Sequence, residues 1–180
     1  MPSLRRGRNT FVSPHGTVMP IPPDIAEFWG RYVAAATGEI DDSRFYEAFH
    51  FGDHEELANS LAELVLLGRK RATASSVWSL EVEGKRLPRP GDLSVVTDYS
   101  GKPLCVVETK RVDVVPFIEV GAEFAALEGE GDGSLEHWRR AHRAFFTREC
   151  ARHGRTFDGN MLIACEQFDV VFRGSHSGAA

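Results

Sequence analysis

The sequence predicts an α+β fold, a small β-barrel with helices packed over it. The order of its hydrophobic patterns carries this. Helix-period segments come first, strand-like runs follow, and one long helix precedes a final strand, without the regular strand–helix alternation that builds a parallel sheet. Length and composition agree: 180 residues with 42% hydrophobic and 26% charged side chains describe one globular domain that buries a core without staples. Cysteine usage agrees too. Cys105, Cys150 and Cys165 are odd in number, scattered and free of any C-x-x-C pair, which argues against a disulfide framework or zinc site and for a reducing compartment.

Residues 1–22 contain Pro2, Pro14, Pro20 and Pro22 and no periodic apolar face, so they read as a disordered tail. Arg5, Arg6 and Arg8 are not followed by the apolar run of a signal peptide, and no stretch is long and apolar enough for a bilayer. A cytoplasmic protein with no membrane partner is the expectation. The folded domain is expected over residues 23–173, with a loose C-terminal tail at 174–180.

Within the domain, Pro23 suits the first turn of a helix whose apolar residues Ile25, Phe28, Trp29, Tyr32 and Val33 recur at helical spacing. Phe45, Phe49 and Phe51 form an aromatic patch. Asp53 with Glu56 reads as a capping box opening a helix through Leu57, Leu61, Leu64 and Val65 that stops at Gly68. Strands are then expected over residues 74–82, 92–98 and 104–115, with turn signals between them. A short helix over 120–128, a glycine-rich acidic loop, a long helix from Ser134 to about His153, and a last strand over 160–172 complete the chain.

The net charge of -5 does not favour a polyanionic partner, but the charge is segregated. Arg69, Lys70 and Arg71 make a compact basic turn after Gly68. Arg139, Arg140, Arg143, Arg148, Arg152 and Arg155 crowd the segment from His137 to Arg155, while acids gather around residues 39–42, 53–56 and 119–132.

The segment from Leu64 to Ser75 carries Gly68-x-Lys70-x-x-Thr73 at a helix-to-strand junction. It resembles the signature of ASCH domains. Leu87 to Asp92 resembles that family's loop before the second strand, Glu128 to Arg139 the acidic loop of one subgroup, and His142-x-x-Phe145-Phe146 its continuation. The resemblance covers roughly residues 24–173 and points to the subgroup with extra N-terminal helices. It implies a PUA-like barrel with a cleft beside the Gly-x-Lys turn and a ligand that is RNA, a nucleoside or a nucleotide. Separately, Glu128, Glu130 and Asp132 lack the spacing of an EF-hand, and no cofactor or metal is expected. Some members hydrolyse acylated cytidine nucleosides and others degrade RNA. The hydrolase pattern of Lys, Thr and Glu carries over to Lys70, Thr73 and Glu128.

The chemistry of these residues leaves several roles open. Lys70 can meet a phosphate as a point charge, or act as a base if its pKa is depressed, which Arg69 and Arg71 favour and Glu128 opposes. Thr73 offers a hydroxyl that Lys70 could activate, and Ser75 shares its strand face by period-2 alternation. Glu128 can act as an acid or read a base, with Glu130 and Asp132 as near alternatives. Trp138 is placed to stack on a base, and Arg69, Arg71 and Arg139 to meet phosphates. The expectation is a basic cleft for RNA or a nucleobase, with hydrolysis (ribonuclease or nucleoside amidohydrolase) or a non-catalytic sensing role as its alternatives.

Overall fold

The computed structural model describes residues 10–12 and 18–174. Two short strands, β1 (Thr10–Val12) and β2 (Val18–Pro20), pair antiparallel as a ribbon of their own. They fall in the stretch that the sequence reads as a tail, and three residues a side are too few to leave a period-2 signature. The remaining tail residues, 1–9, 13–17 and 175–180, lie outside the described residues.

Helix α1 (Pro23–Ala35) starts where the sequence predicts, with proline in the first turn, and buries Ile25, Phe28, Trp29 and Tyr32. After a 3-10 turn at Asp42–Arg44 comes β3 (Phe45–Phe49), a strand that the sequence shows only as an aromatic patch. Helix α2 (Glu55–Leu66) is capped at His54 without a side-chain bond. The expected capping box at Asp53 is therefore not formed. Asp53 turns instead to Arg148 at 3.1 Å and Arg152 at 3.3 Å, which give it charge-assisted hydrogen bonds. The chain leaves α2 through Gly68, whose φ of +74 is the left-handed turn that glycine makes without strain.

Strand β4 (Ala72–Ser76) is shorter than expected, because Val77–Val82 forms helix α3 rather than more strand. The partner of β4 runs out: Ser76 pairs with Ile163, almost the first residue of its neighbour, so the backbone beyond it takes helical hydrogen bonds instead. β5 (Leu93–Thr97), β6 (Pro103–Pro116), α4 (Ala122–Glu128), α5 (Leu135–Arg152) and β7 (Leu162–Arg173) follow the predicted order. Ser134 caps α5 by accepting from the N–H of His137.

The main sheet has five strands in the order β3-β5-β6-β7-β4 and is open, with only the β3–β5 pair parallel. β6 and β7 pair along most of their length, and two bulges bend them. On one face, α1 packs against Leu93, Val95 and Val106, while α4 and α5 pack against Ala72, Ile163 and Cys165. On the other, α2 covers Val96, Cys105, Val107 and Phe168. Among the described residues no helix is long and apolar enough to cross a membrane.

Candidate functional site

The basic turn is pinned from both sides. The N–H groups of Arg69 and Lys70 donate to the carbonyl of Leu64, and that of Arg71 donates to the carbonyl of Leu127 in α4. Gly129 (φ +62) ends α4 directly against the turn, so close that a Cβ there would lie 2.5 Å from the Arg69 carbonyl oxygen. This close approach carries Lys70 inward. Its side chain is 1% exposed, and Nζ lies 2.6 Å from Glu130 Oε1, 3.3 Å from Glu128 Oε1 and 5.1 Å from the centre of the Phe51 ring.

Glu128, also 1% exposed, uses its second oxygen for two more partners: the indole N–H of Trp138 and His142 Nε2 at 3.0 Å. The other ring nitrogen of His142 faces the Trp138 carbonyl oxygen at 3.0 Å. A carbonyl and a carboxylate can both only accept, so this placement of acceptors at both ring nitrogens favours the imidazolium form of His142. Two cations, Lys70 and His142, thus balance two carboxylates, Glu128 and Glu130. The two rings brace the arrangement by stacking, with Trp138 and His142 centroids 4.2 Å apart.

The electrostatics follow from this pairing. Burial works to lower the pKa of Lys70, but Glu128 and Glu130 together outweigh it and hold the ammonium above its ordinary value. Burial works to raise that of Glu128, but Lys70 and His142, with the hydrogen bonds from His142 and Trp138, bring it down to about 2. Burial also opposes charge on His142, and Glu128 reverses the sign, raising it. A lysine held charged in this way is a poor proton acceptor, so the arrangement opposes the role of Lys70 as a base.

Glu128, Glu130 and His142 each bring a potential metal-ligand atom within 4.8 Å of the others. The Lys70 ammonium already bonds both carboxylates there and takes the place a cation would need. Asp132 stands apart and accepts from the N–H of Ser134.

Of the residues singled out from the sequence, Lys70 and Glu128 are brought together across 58 positions of chain. The same pairing seals Lys70 away from solvent, out of reach of a phosphate. Trp138 is 2% exposed, with one neighbour stacked on it and Phe117 at 5.2 Å, so no open ring face remains for a base. Arg139 is exposed and donates to the carbonyl of Ile118. Arg69 and Arg71 are exposed, and among the described residues neither guanidinium has a hydrogen bond or ion pair. Thr73 and Ser75 are half-buried, and neither hydroxyl bonds Lys70 or any other described group.

Thr73 instead faces a residue that sequence reasoning missed. It pairs across the β4–β7 ladder with Glu166, and directly opposed antiparallel residues point to the same side of the sheet. From β6, Thr109 donates to Glu166 Oε1 at 2.5 Å. Thr73 and Ser75 alternate onto this face, and Arg71 is the residue just before β4, its carbonyl accepting from the N–H of Phe168. Burial is the largest influence on the Glu166 carboxyl and raises its pKa. The Thr109 bond opposes this, Glu47 and Asp92 add to it, and the group is pushed up to about 7. The signal in the sequence was an acid inside a strand of otherwise largely apolar residues.

A sequence profile described as the ASCH domain matches residues 47–172. Among solved structures, an ASCH domain from Lactobacillus crispatus JV V101 is 36% identical and superposes with a TM-score of 0.76, covering 84% of this chain and 96% of its own. A protein from Enterococcus faecalis V583 is 30% identical with a TM-score of 0.75, covering 87% of this chain and 98% of its own. Among curated proteins, none matches.

Proposed function

The chain belongs to the ASCH-domain family, and from that premise we propose that it binds RNA, or a nucleotide fragment of it, on the polar face of β4, β7 and β6. One observation carries the reading. Thr73 and Ser75 share one side of an edge strand with Glu166 opposite Thr73 and the exposed Arg71 just before it, so a guanidinium and two hydroxyls without partners among the described residues lead up to a carboxyl. A guanidinium suits a phosphate, and hydroxyls and a carboxyl suit a base edge. Arg69 extends the positive rim. Lys70 and Glu128 support the site from beneath, fixing the turn that presents both arginines, rather than touching the ligand. Hydrolysis is a second reading that the same hydroxyls favour, with Glu166 rather than Lys70 as the neighbour of Thr73.

Fluorescence anisotropy with a short single-stranded RNA at graded salt tests the binding. Log affinity is expected to fall linearly with log salt, and Arg71→Ala and Arg69→Ala are each expected to shallow the slope by about 0.7, one phosphate contact on a single strand. Absence of binding at low salt, or salt-indifferent binding, overturns the proposal. Mass spectrometry of the RNA after incubation reports turnover.

A further inference from the structure

Glu166 stands at the centre of the face assigned above to RNA, and its surroundings are unusual for an acid. It forms no ion pair among the described residues. The cations of the neighbouring loop are already engaged: Lys85 lies 2.8 Å from Glu47, and Arg86 lies 2.6 Å from Asp92. The groups facing Glu166 are hydroxyls and acids. Thr73 opposes it from β4 and Thr109 bonds it from β6, while Glu47 of β3 and Asp92 of the loop before β5 act on it through space, as it does on the Tyr46 phenol. A partly buried carboxylate beside two others, with no cation of its own, keeps its proton more readily than a solvated one.

We propose that Glu166 is the base-reading group of this face and reads as a neutral carboxylic acid, donating to an acceptor and accepting from a donor on one edge of a nucleobase. This rests on the RNA-binding reading and deepens it. The geometry sets the roles of the two oxygens. Oε1 already accepts from Thr109, which fixes the plane of the carboxyl group and leaves the second oxygen to carry the proton toward a ligand. The Thr73 and Ser75 hydroxyls, each able to donate or accept, flank that position along β4 and complete the contacts to the base. Arg71, at the head of the same row, meets the phosphate attached to it. An ionised carboxylate offers only acceptors and loses the bond to a ring nitrogen or carbonyl, so the affinity follows the protonated fraction.

The test uses the full chain and the four dinucleoside monophosphates of adenine, cytosine, guanine and uracil, whose phosphodiester does not titrate between pH 6 and 8.5. Binding is measured by calorimetry at both pH values. With the carboxyl titrating near 7, the best-bound dinucleotide is expected to weaken by up to about thirtyfold at pH 8.5, in proportion to the competent fraction. Glu166→Gln places a fixed donor and acceptor in the same outline. It should keep the pH 6 affinity at both pH values, while Glu166→Leu should lose it at both. Wild-type affinity that is flat with pH, or a Glu166→Gln variant as weak as Glu166→Leu, overturns the inference. Binding that ignores Glu166→Leu overturns this inference and leaves the RNA reading standing. Failure of all four dinucleotides to bind while the single-stranded RNA binds overturns this inference alone, and failure of both ligands removes both.

Discussion

Replacing Lys70 by methionine removes a buried ammonium while keeping a chain of similar length. In the folded protein Glu128 is 1% exposed and would lose its contact at 3.3 Å, and Glu130 would lose its contact at 2.6 Å. Among the described residues, His142 would then be the cation left against two carboxylates. Removing one member of a buried ion pair costs about 3–5 kcal/mol, because the partner's charge stays out of water with less to balance it. At roughly 2–4 °C per kcal/mol for a domain of this size, Tm should fall by about 6–20 °C. Glu128→Gln should be destabilising in the same way. The double variant Lys70→Met/Glu128→Gln removes both charges, so its loss should fall short of the sum of the singles by more than about 1 kcal/mol. Urea denaturation of the four proteins at pH 7 reads this coupling directly. A Lys70→Met variant within about 1 kcal/mol of the wild type, or strictly additive losses, would refute the idea that the turn rests on a buried charge network.

The imidazolium of His142 predicts a pH dependence. Its pKa is raised by folding, so its stabilisation is complete below the unfolded value of about 6.5 and is lost as pH rises through the folded value. Urea midpoints measured from pH 6 to pH 9 should therefore fall in the wild type, and fall less in His142→Gln; a parallel decline in both would dismiss the imidazolium. Gly129→Ala sets a Cβ 2.5 Å from the Arg69 carbonyl oxygen in a left-handed conformation, and should destabilise by about 1–3 kcal/mol. The same shift should disturb Lys70 and Arg71 amide resonances, and unchanged spectra and melting would show that α4 does not clamp the turn.

Much of the fold was legible because local chemistry and tertiary context agree. Pro23, the helical stripe of α1, the start of α5 at Ser134 and the β-branched run of β6 each announce their element. β3 was not legible, since Phe45–Phe49 is short and its strand state depends on pairing with a segment nearly fifty residues away. α3 was missed for the converse reason: Val77–Val82 has strand-forming side chains but no strand left to pair with. The Gly-x-Lys turn and its link to Glu128 were visible through resemblance. The burial of Lys70 was not, because it is created by carboxylates 58 and 60 positions onward. Trp138 illustrates the same limit. An aromatic at the head of a helix looks the same in sequence whether it faces solvent or core, and only the packing of Phe117 and His142 around it decides.

The bulge at Lys110 bears on how this chain can change length. Thr109 pairs with Phe168 and Arg111 with Gln167, so Lys110 is one residue more than the ladder needs. That extra residue resets which side chains of β6 face the Glu166 side, bringing both Thr109 and Val112 onto it. Deleting Lys110 would leave both flanks with the partners they have, whereas deleting a residue that the ladder uses would turn the polar and apolar sets of one flank to the wrong faces. A chain of this fold that keeps the Thr109–Glu166 contact can therefore shed one residue at the bulge, a freedom that the paired residues on either side of it lack.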